Sequence, residues 1–130
     1  MIVVTMKTDN PEAEIGLYKG ADKLSYIRWE AHRELASTLH TKLETMLQDQ
    51  GMTWNDVQGI VCFQGPGSFT GLRIGLTVAD TLAYGLAIPV VATMEDDWIQ
   101  KGIARLQAGE DDRIALPHYG APVHITKKKK

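Results

Sequence analysis

Gln64-Gly65-Pro66-Gly67-Ser68-Phe69-Thr70-Gly71-Leu72-Arg73 is the stretch on which the reading of this chain turns. It follows Gly59 to Phe63, a short, continuously apolar run of the kind found in strands covered on both faces. It precedes a helical pattern that continues to about Leu86, with Gly85 near its end. A glycine-rich loop between strand and helix has two readings. In the first, Gly65, Gly67 and Gly71 allow positive φ and close backbone approach, and the free N–H groups of the helix start, with Arg73 in the first turn, receive a phosphate or nucleotide. In the second, the loop is a tight turn that caps a packed helix through the hydroxyl of Ser68 or Thr70. The spacing is a loose relative of the dinucleotide fingerprint, and Glu95 lies where a ribose-binding acid would follow the next strand. Three departures weigh against that fingerprint: the strand is not the first of the chain, Pro66 stiffens the loop, and Thr70 stands where the third glycine should be.

Working outward, Ile2 to Met6 is β-rich, and Thr8-Asp9-Asn10-Pro11 supplies turn chemistry. Glu14 to Lys19 and Lys23 to Trp29 read as two strands of a hairpin joined through Gly20-Ala21-Asp22. From about Ala31 to Gln50 the period changes, with Leu35, Leu39, Leu43 and Met46/Leu47 three or four apart: an amphipathic helix stopped by Gly51. Thr53 with Asp56 reads as the cap of a single helical turn. Beyond the loop and its helix, Pro89 to Ala92 is a short strand and Met94 to Leu106 a third helix. Glu95-Asp96-Asp97 would begin that helix, where negative charge suits the dipole, or would meet a partner's basic patch. Arg113 to Leu116 could add one edge strand, and the last ten residues are expected to dangle. Three strands, then helix, strand, helix, strand, helix, indicate an α/β domain with an antiparallel start and parallel crossovers.

The chain has 130 residues, room for one ordinary domain, with 44% hydrophobic and 23% charged residues, near the soluble globular average. No apolar run approaches the roughly 18 to 20 residues of a membrane span, and Lys7 arrives too early for a signal peptide, so a soluble protein without an export signal is expected. The net charge of -2 conceals an asymmetry, because Lys127 to Lys130 hold four of the fourteen basic residues. Without them ten basic face sixteen acidic residues, a body of charge -6 that disfavours a broad nucleic-acid surface. The lysine tail is a solvated end or an auxiliary nucleic-acid contact. Cys62, the single cysteine, fits a reducing cytoplasm and reads as a buried small hydrophobe rather than a nucleophile. His32, His40, His118 and His124 lack ligand-like spacing, so no metal site is expected. Ser68 lacks the nucleophile elbow, because Pro66 occupies its first glycine position. Trp29, Trp54 and Trp98 are read as core or boundary residues rather than base-stacking platforms.

Gly65 to Leu76, reading Gly-Pro-Gly-Ser-Phe-Thr-Gly-Leu-Arg-Ile-Gly-Leu, together with Gly85-Leu86-Ala87-Ile88-Pro89-Val90-Val91, resembles the signature of the bacterial TsaB (YeaZ) family. His32 before Glu34-Leu35 stands where that family has a histidine opening its first long helix, and Gly59-Ile60-Val61 resembles the strand before its loop. The likeness runs from about Met1 to Leu106. It implies an actin-like, Hsp70-like ATPase (ribonuclease H-like) lobe over residues 1–108: a mixed five-stranded sheet, three antiparallel then two parallel strands, with helices on both faces. Residues 109–130 would be an irregular segment ending in the lysine tail.

For function, the resemblance implies a noncatalytic, cytoplasmic accessory subunit in the synthesis of N6-threonylcarbamoyladenosine at position 37 of tRNA. Such a subunit pairs with a TsaD-like subunit, is joined by a TsaE-like ATPase, and meets tRNA through the complex. ATP and metal belong to the partner subunits, with none held tightly by this chain, and free subunits also form homodimers. Pairing in the family uses the first two long helices, which carries an interface expectation to His32, Leu35, Leu39, Leu43, Gly75, Leu76, Ala79 and Ala83. The residues alone favour both stripes simply covering the chain's own sheet. Gly65, Pro66, Gly67, Ser68, Phe69, Thr70, Gly71 and Arg73 form the signature loop, with an anion as candidate ligand. The alternative class is an independent nucleotide-binding enzyme or a peptidase working at Gly65 to Gly71. Two features depart from the family. Thr8-Asp9-Asn10-Pro11-Glu12 replaces an Asp-Thr-Ser-like turn and adds negative charge where a phosphate would lie, which disfavours independent ATP hydrolysis. The family's second lobe is missing, and Ala115-Leu116-Pro117-His118-Tyr119 resembles its closing segment, so a one-lobed form is expected.

Overall fold

The computed structural model describes residues 1–117. His118, Tyr119, His124, the last ten residues and the Lys127 to Lys130 tail, with the expectations attached to them, lie outside the described residues.

Five strands form one sheet: β1 (Ile2–Lys7), β2 (Glu12–Lys19), β3 (Asp22–Glu30), β4 (Gly59–Phe63) and β5 (Val90–Thr93), in the order β3-β2-β1-β4-β5. The first three are antiparallel neighbours, and β4 and β5 run parallel to β1. The short connections dictate this. Asn10 accepts the Glu12 N–H at 2.9 Å in the turn after β1, and Gly20, at φ 59°, closes the hairpin between Lys19 and Asp22. The long helical connections after β3 and β4 then place β4 and β5 on the other side of β1.

The helices α1 (Leu35–Asp49), α2 (Phe69–Leu86) and α3 (Trp98–Gln107) divide between the two faces. Thr8 meets α2, so Val4 and Met6 share its face, and their β2 partners Leu17 and Ile15 face the same way beneath α1. On the opposite face Val61 lies against Gly102, Gly59 against Leu106 and Phe63 against Trp98, which puts α3 over β4 and β5. Leu39, Leu43, Met46, Leu72, Ala79, Ile15 and Leu17 are all fully buried. Truncating any of the leucines to Ala costs about 2–5 kcal/mol.

Three expectations need correction. The first helix begins at Leu35 rather than Ala31: the Ala31 N–H is bonded to Pro11 O at 2.9 Å, and His32–Glu34 form a 3₁₀ turn before α1. The third helix begins at Trp98 rather than Met94. Glu95 takes a left-handed φ of 77°, so Glu95-Asp96-Asp97 make the entry turn, with the Glu95 and Asp97 carboxylates on Lys101. α2 ends at Leu86 with Gly85 in its last turn, where the sequence places it, and closes on Ala87 in the left-handed conformation at φ 56°. Arg113 to Leu116 is no strand, because Arg113 turns at φ 66° and the chain crosses the β5 edge as a strap held largely by side chains. The strap is bonded to β5, α2 and α3.

Candidate functional site

The signature loop owes its shape to a residue far away in sequence. Thr8, just after β1, donates its hydroxyl to Gly71 O at 2.8 Å, and the Asp9 carbonyl accepts the Ser68 N–H at 2.8 Å. A Cβ on Gly71 would run into the Thr8 carbonyl, one on Gly75 into the Thr8 hydroxyl, and one on Gly67 into Asp9. The glycines of the motif therefore let the Thr8-Asp9 turn lie directly on the first turns of α2. Gly65 itself adopts φ 119°, and its peptide bond to Pro66 is cis. Ser68 is the N-cap, its Oγ accepting from Gly71 N at 3.4 Å, and Phe69 opens the helix.

This arrangement favours the packed-turn reading over a phosphate cradle. Two of the amides that an anion would use are bonded within the chain, to Asp9 O and Ser68 Oγ. The Asp9 carboxylate stands beside them, paired with Lys7 Nζ at 2.7 Å. The residues present do not fit a nucleotide triphosphate at this helix start.

Beyond the C-terminal ends of β1 and β4 lies a cleft of about 480 Å³, whose lining includes Lys7, Glu14, Phe63, Glu95, Asp96 and Trp98. Its one lysine sits 4.6 Å above the Phe63 ring and is committed to Asp9, while Phe63 meets Trp98 edge-on at 5.7 Å. Glu14 accepts the Tyr26 hydroxyl at 2.6 Å and lies 3.4 Å from Arg28. Carboxylates dominate this cleft, which disfavours an anionic ligand there.

The residues of the two helical stripes lie inside the lobe. Leu35, Leu39 and Leu43 of α1, and Leu76, Ala79 and Ala83 of α2, are at most 5% exposed, and Gly75 is buried under Thr8. A four-residue stripe of small side chains serves internal close packing as well as it serves a partner, and here it is internal. The surface these helices present outward is a neighbouring one. Ala36 of α1 and Thr70, Arg73, Ile74, Thr77 and Val78 of α2 line a shallow groove of about 310 Å³. His32 opens the 3₁₀ turn before α1.

Other candidate groups are occupied structurally. Cys62 is fully buried, and burial, with the Asp80 charge as a second cause, pushes its thiol well above the usual range, so no thiolate is on offer. His40 stacks on Trp54 at 5.7 Å and neighbours Glu44. Trp98 is buried, while Trp29 and Trp54 are half-buried, as the core or boundary reading expects. Among the described residues no three His, Cys, Asp or Glu side chains are grouped to hold a metal ion, and no helix is long and apolar enough to cross a membrane.

Sequence reasoning overlooked a second polar centre. Asp80 on α2 accepts the Ala115 N–H at 2.8 Å, and burial raises its carboxyl against the lowering effect of that bond. Arg105 on α3 pairs with Asp112 and with Glu110. A lone carboxylate inside the otherwise uncharged run Thr77 to Leu86 was the available signal.

Comparison with known proteins agrees with this architecture. The family described as "TsaD: tRNA N6-adenosine threonylcarbamoyltransferase" matches residues 29–97. The TsaB protein of Escherichia coli is 36% identical over 95 residues, covering 65% of this chain and 41% of that protein. A tRNA N6-adenosine threonylcarbamoyltransferase of Geotalea uraniireducens is 38% identical over 95 residues, covering 73% of this chain and 28% of that protein. The solved structure of YeaZ from Pseudomonas aeruginosa superposes with a TM-score of 0.68 at 26% identity, covering 83% of this chain and 50% of that one. The chain spans about two fifths of the length of the curated TsaB relatives from E. coli and Bacillus subtilis, 41% and 40%. The Gly65 to Leu76 segment, the sheet order and these matches agree, and the chain belongs to the TsaD family, in its TsaB (YeaZ) branch.

Proposed function

We propose that this chain is an accessory subunit in tRNA N6-threonylcarbamoyladenosine synthesis, noncatalytic by itself, that pairs with a TsaD-like transferase subunit in the cytoplasm. A TsaE-like ATPase joins the assembly, tRNA is met through the complex, and the ATP and metal belong to the partner subunits. The observation that carries this reading is the state of the signature loop. In a member of the TsaB branch, its glycines, its N-cap hydroxyl and the Ser68 amide are all engaged in packing α2 onto the Thr8-Asp9 turn. A loop built that way holds a helix rigidly for something else to use. The pairing surface we assign is the outward groove between α1 and α2, around Ile74, Thr77 and Val78, in place of the buried stripe.

Co-expression of the chain with the TsaD-like and TsaE-like proteins of the same organism tests the pairing. The expected outcome is co-purification of a stoichiometric complex with the TsaD-like protein. Tight nucleotide binding by the isolated chain at Gly65 to Gly71, with no complex formed, would favour the independent-enzyme alternative and sink this one.

A further inference from the structure

The segment from Glu110 to Leu116, which plays no part in the signature loop, lies across the free edge of β5. Alternate residues of an edge strand leave N–H and C=O groups pointing away from the sheet, a template for another strand. On β5 these residues are Val90 and Ala92, and all four groups are taken. Val90 N–H donates to Asp111 Oδ1 at 3.1 Å, and Val90 O accepts the Asp112 N–H at 2.8 Å. Ala92 N–H donates to Asp112 Oδ2 at 2.9 Å, and Ala92 O accepts from Arg105 Nη1 at 3.2 Å. The Asp112 carboxylate also holds Arg105, whose Nε reaches Glu110 at 2.7 Å. Two further ties, Ala115 N–H to Asp80 at 2.8 Å and Gln64 Nε2 to Leu116 O at 2.9 Å, complete the strap.

Three of the four bonds on the edge run through side chains, one of them from Arg105 on α3, whose guanidinium is held in turn by Glu110 and Asp112 of the strap, and Ile114 and Leu116 on the strap are each 63% exposed. Ala115 alone is buried, so little apolar contact holds the segment down. We infer that residues 110–116 are a releasable cover, a side-chain substitute for a sixth strand, whose opening lets β5 pair with the β5 of a second copy of this chain. The bared edge is self-complementary. Antiparallel pairing of Val90 with the Ala92 of a second copy, about an axis at Val91, puts both outward-facing residues of each strand into hydrogen-bonded pairs and restores four bonds. Val90-Val91-Ala92-Thr93 carries no charge and is largely β-branched, which suits pairing. The opposite edge of the sheet, β3, instead carries Asp22, Lys23, Arg28 and Glu30, the charged kind of edge that resists it.

Hydrogen exchange and light scattering on the whole chain test this. In the unmodified chain the Val90 and Ala92 amides should exchange at least tenfold faster than the Val91 amide, which faces β4. Asp112→Ala should speed exchange at Val90 and Ala92 at least tenfold more, leave Ile60 and Cys62 of β4 protected, and give a concentration-dependent association beyond that of the unmodified chain, in which the Val90 and Ala92 amides become protected as concentration rises. Should that variant fail to fold, Asp112→Asn, which keeps a carbonyl acceptor for Ala92 but loses the ion pair, is read in the same way. Exchange at Ala92 no faster than at Val91, loss of protection in β4 and β5 together, or a variant that stays monomeric would overturn the inference.

Discussion

Thr8 explains more of the signature loop than any residue inside it. Its hydroxyl and carbonyl occupy the space that side chains at Gly75 and Gly71 would need. Gly75→Ala should therefore cost about 1–3 kcal/mol in a urea melt, despite the better helix propensity of alanine. A variant as stable as the parent would show that the Thr8 turn is not held there. The glycines themselves were legible in the sequence, but their purpose was not, because the residue they accommodate comes 63 positions before Gly71 in the chain. Asp80 carries a pH dependence of definite sign. Burial raises its folded-state pKa above the ordinary 3.8, so the folded chain holds that proton longer than the unfolded chain does. Its effect on stability is most favourable at low pH and declines as pH rises through the raised value. Asp80→Asn keeps a carbonyl for the Ala115 N–H, so at pH 7 it should be at least as stable as the parent, with the advantage shrinking toward pH 3. Urea melts at the two pH values check this, and a variant clearly weaker at pH 7 would contradict it.

At the scale of elements, the strands and the cores of the helices could be read from periodicity, while several helix ends could not. The Leu35-Leu39-Leu43 spacing fixed the inward face of α1, but its start depends on a bond from Ala31 to Pro11, which periodicity does not encode. The end of α2 near Leu86 was legible, but the left-handed turn that closes it falls on Ala87 and not on a glycine. That conformation costs a non-glycine residue about 1–2 kcal/mol. Ala87→Gly should therefore raise stability by about 1 kcal/mol, offset slightly by the freer unfolded chain, as thermal and urea unfolding would show. Which side of α1 and α2 meets a partner was also beyond the sequence, since small residues every four positions suit any close contact. With Ala79 fully buried, the outward groove is where a bulky charge should act. Thr77→Arg, at an exposed position, should change the stability of the isolated chain by no more than about 0.5 kcal/mol while weakening pairing with the TsaD-like subunit at least tenfold. Unchanged affinity in a titration would move the interface elsewhere.

For the whole molecule, the sheet order followed from its connections: two tight turns keep β1, β2 and β3 adjacent, and two helical crossovers carry β4 and β5 to the other side of β1. The strap escaped notice because it is made of side-chain bonds to a strand edge, which leave neither an alternating pattern nor a helical one. The lobe offers an outward α1/α2 groove, a loop engaged in internal packing and a cleft lined by three carboxylates, the features on which the proposed pairing rests. The most direct test reconstitutes tRNA modification from the TsaD-like and TsaE-like proteins of the same organism, with a threonylcarbamoyl donor supplied, and measures N6-threonylcarbamoyladenosine formed with and without this chain. The account predicts that adding the chain raises the rate at least tenfold and that the chain alone forms none. An equal rate in its absence, or product from the chain alone, would contradict it.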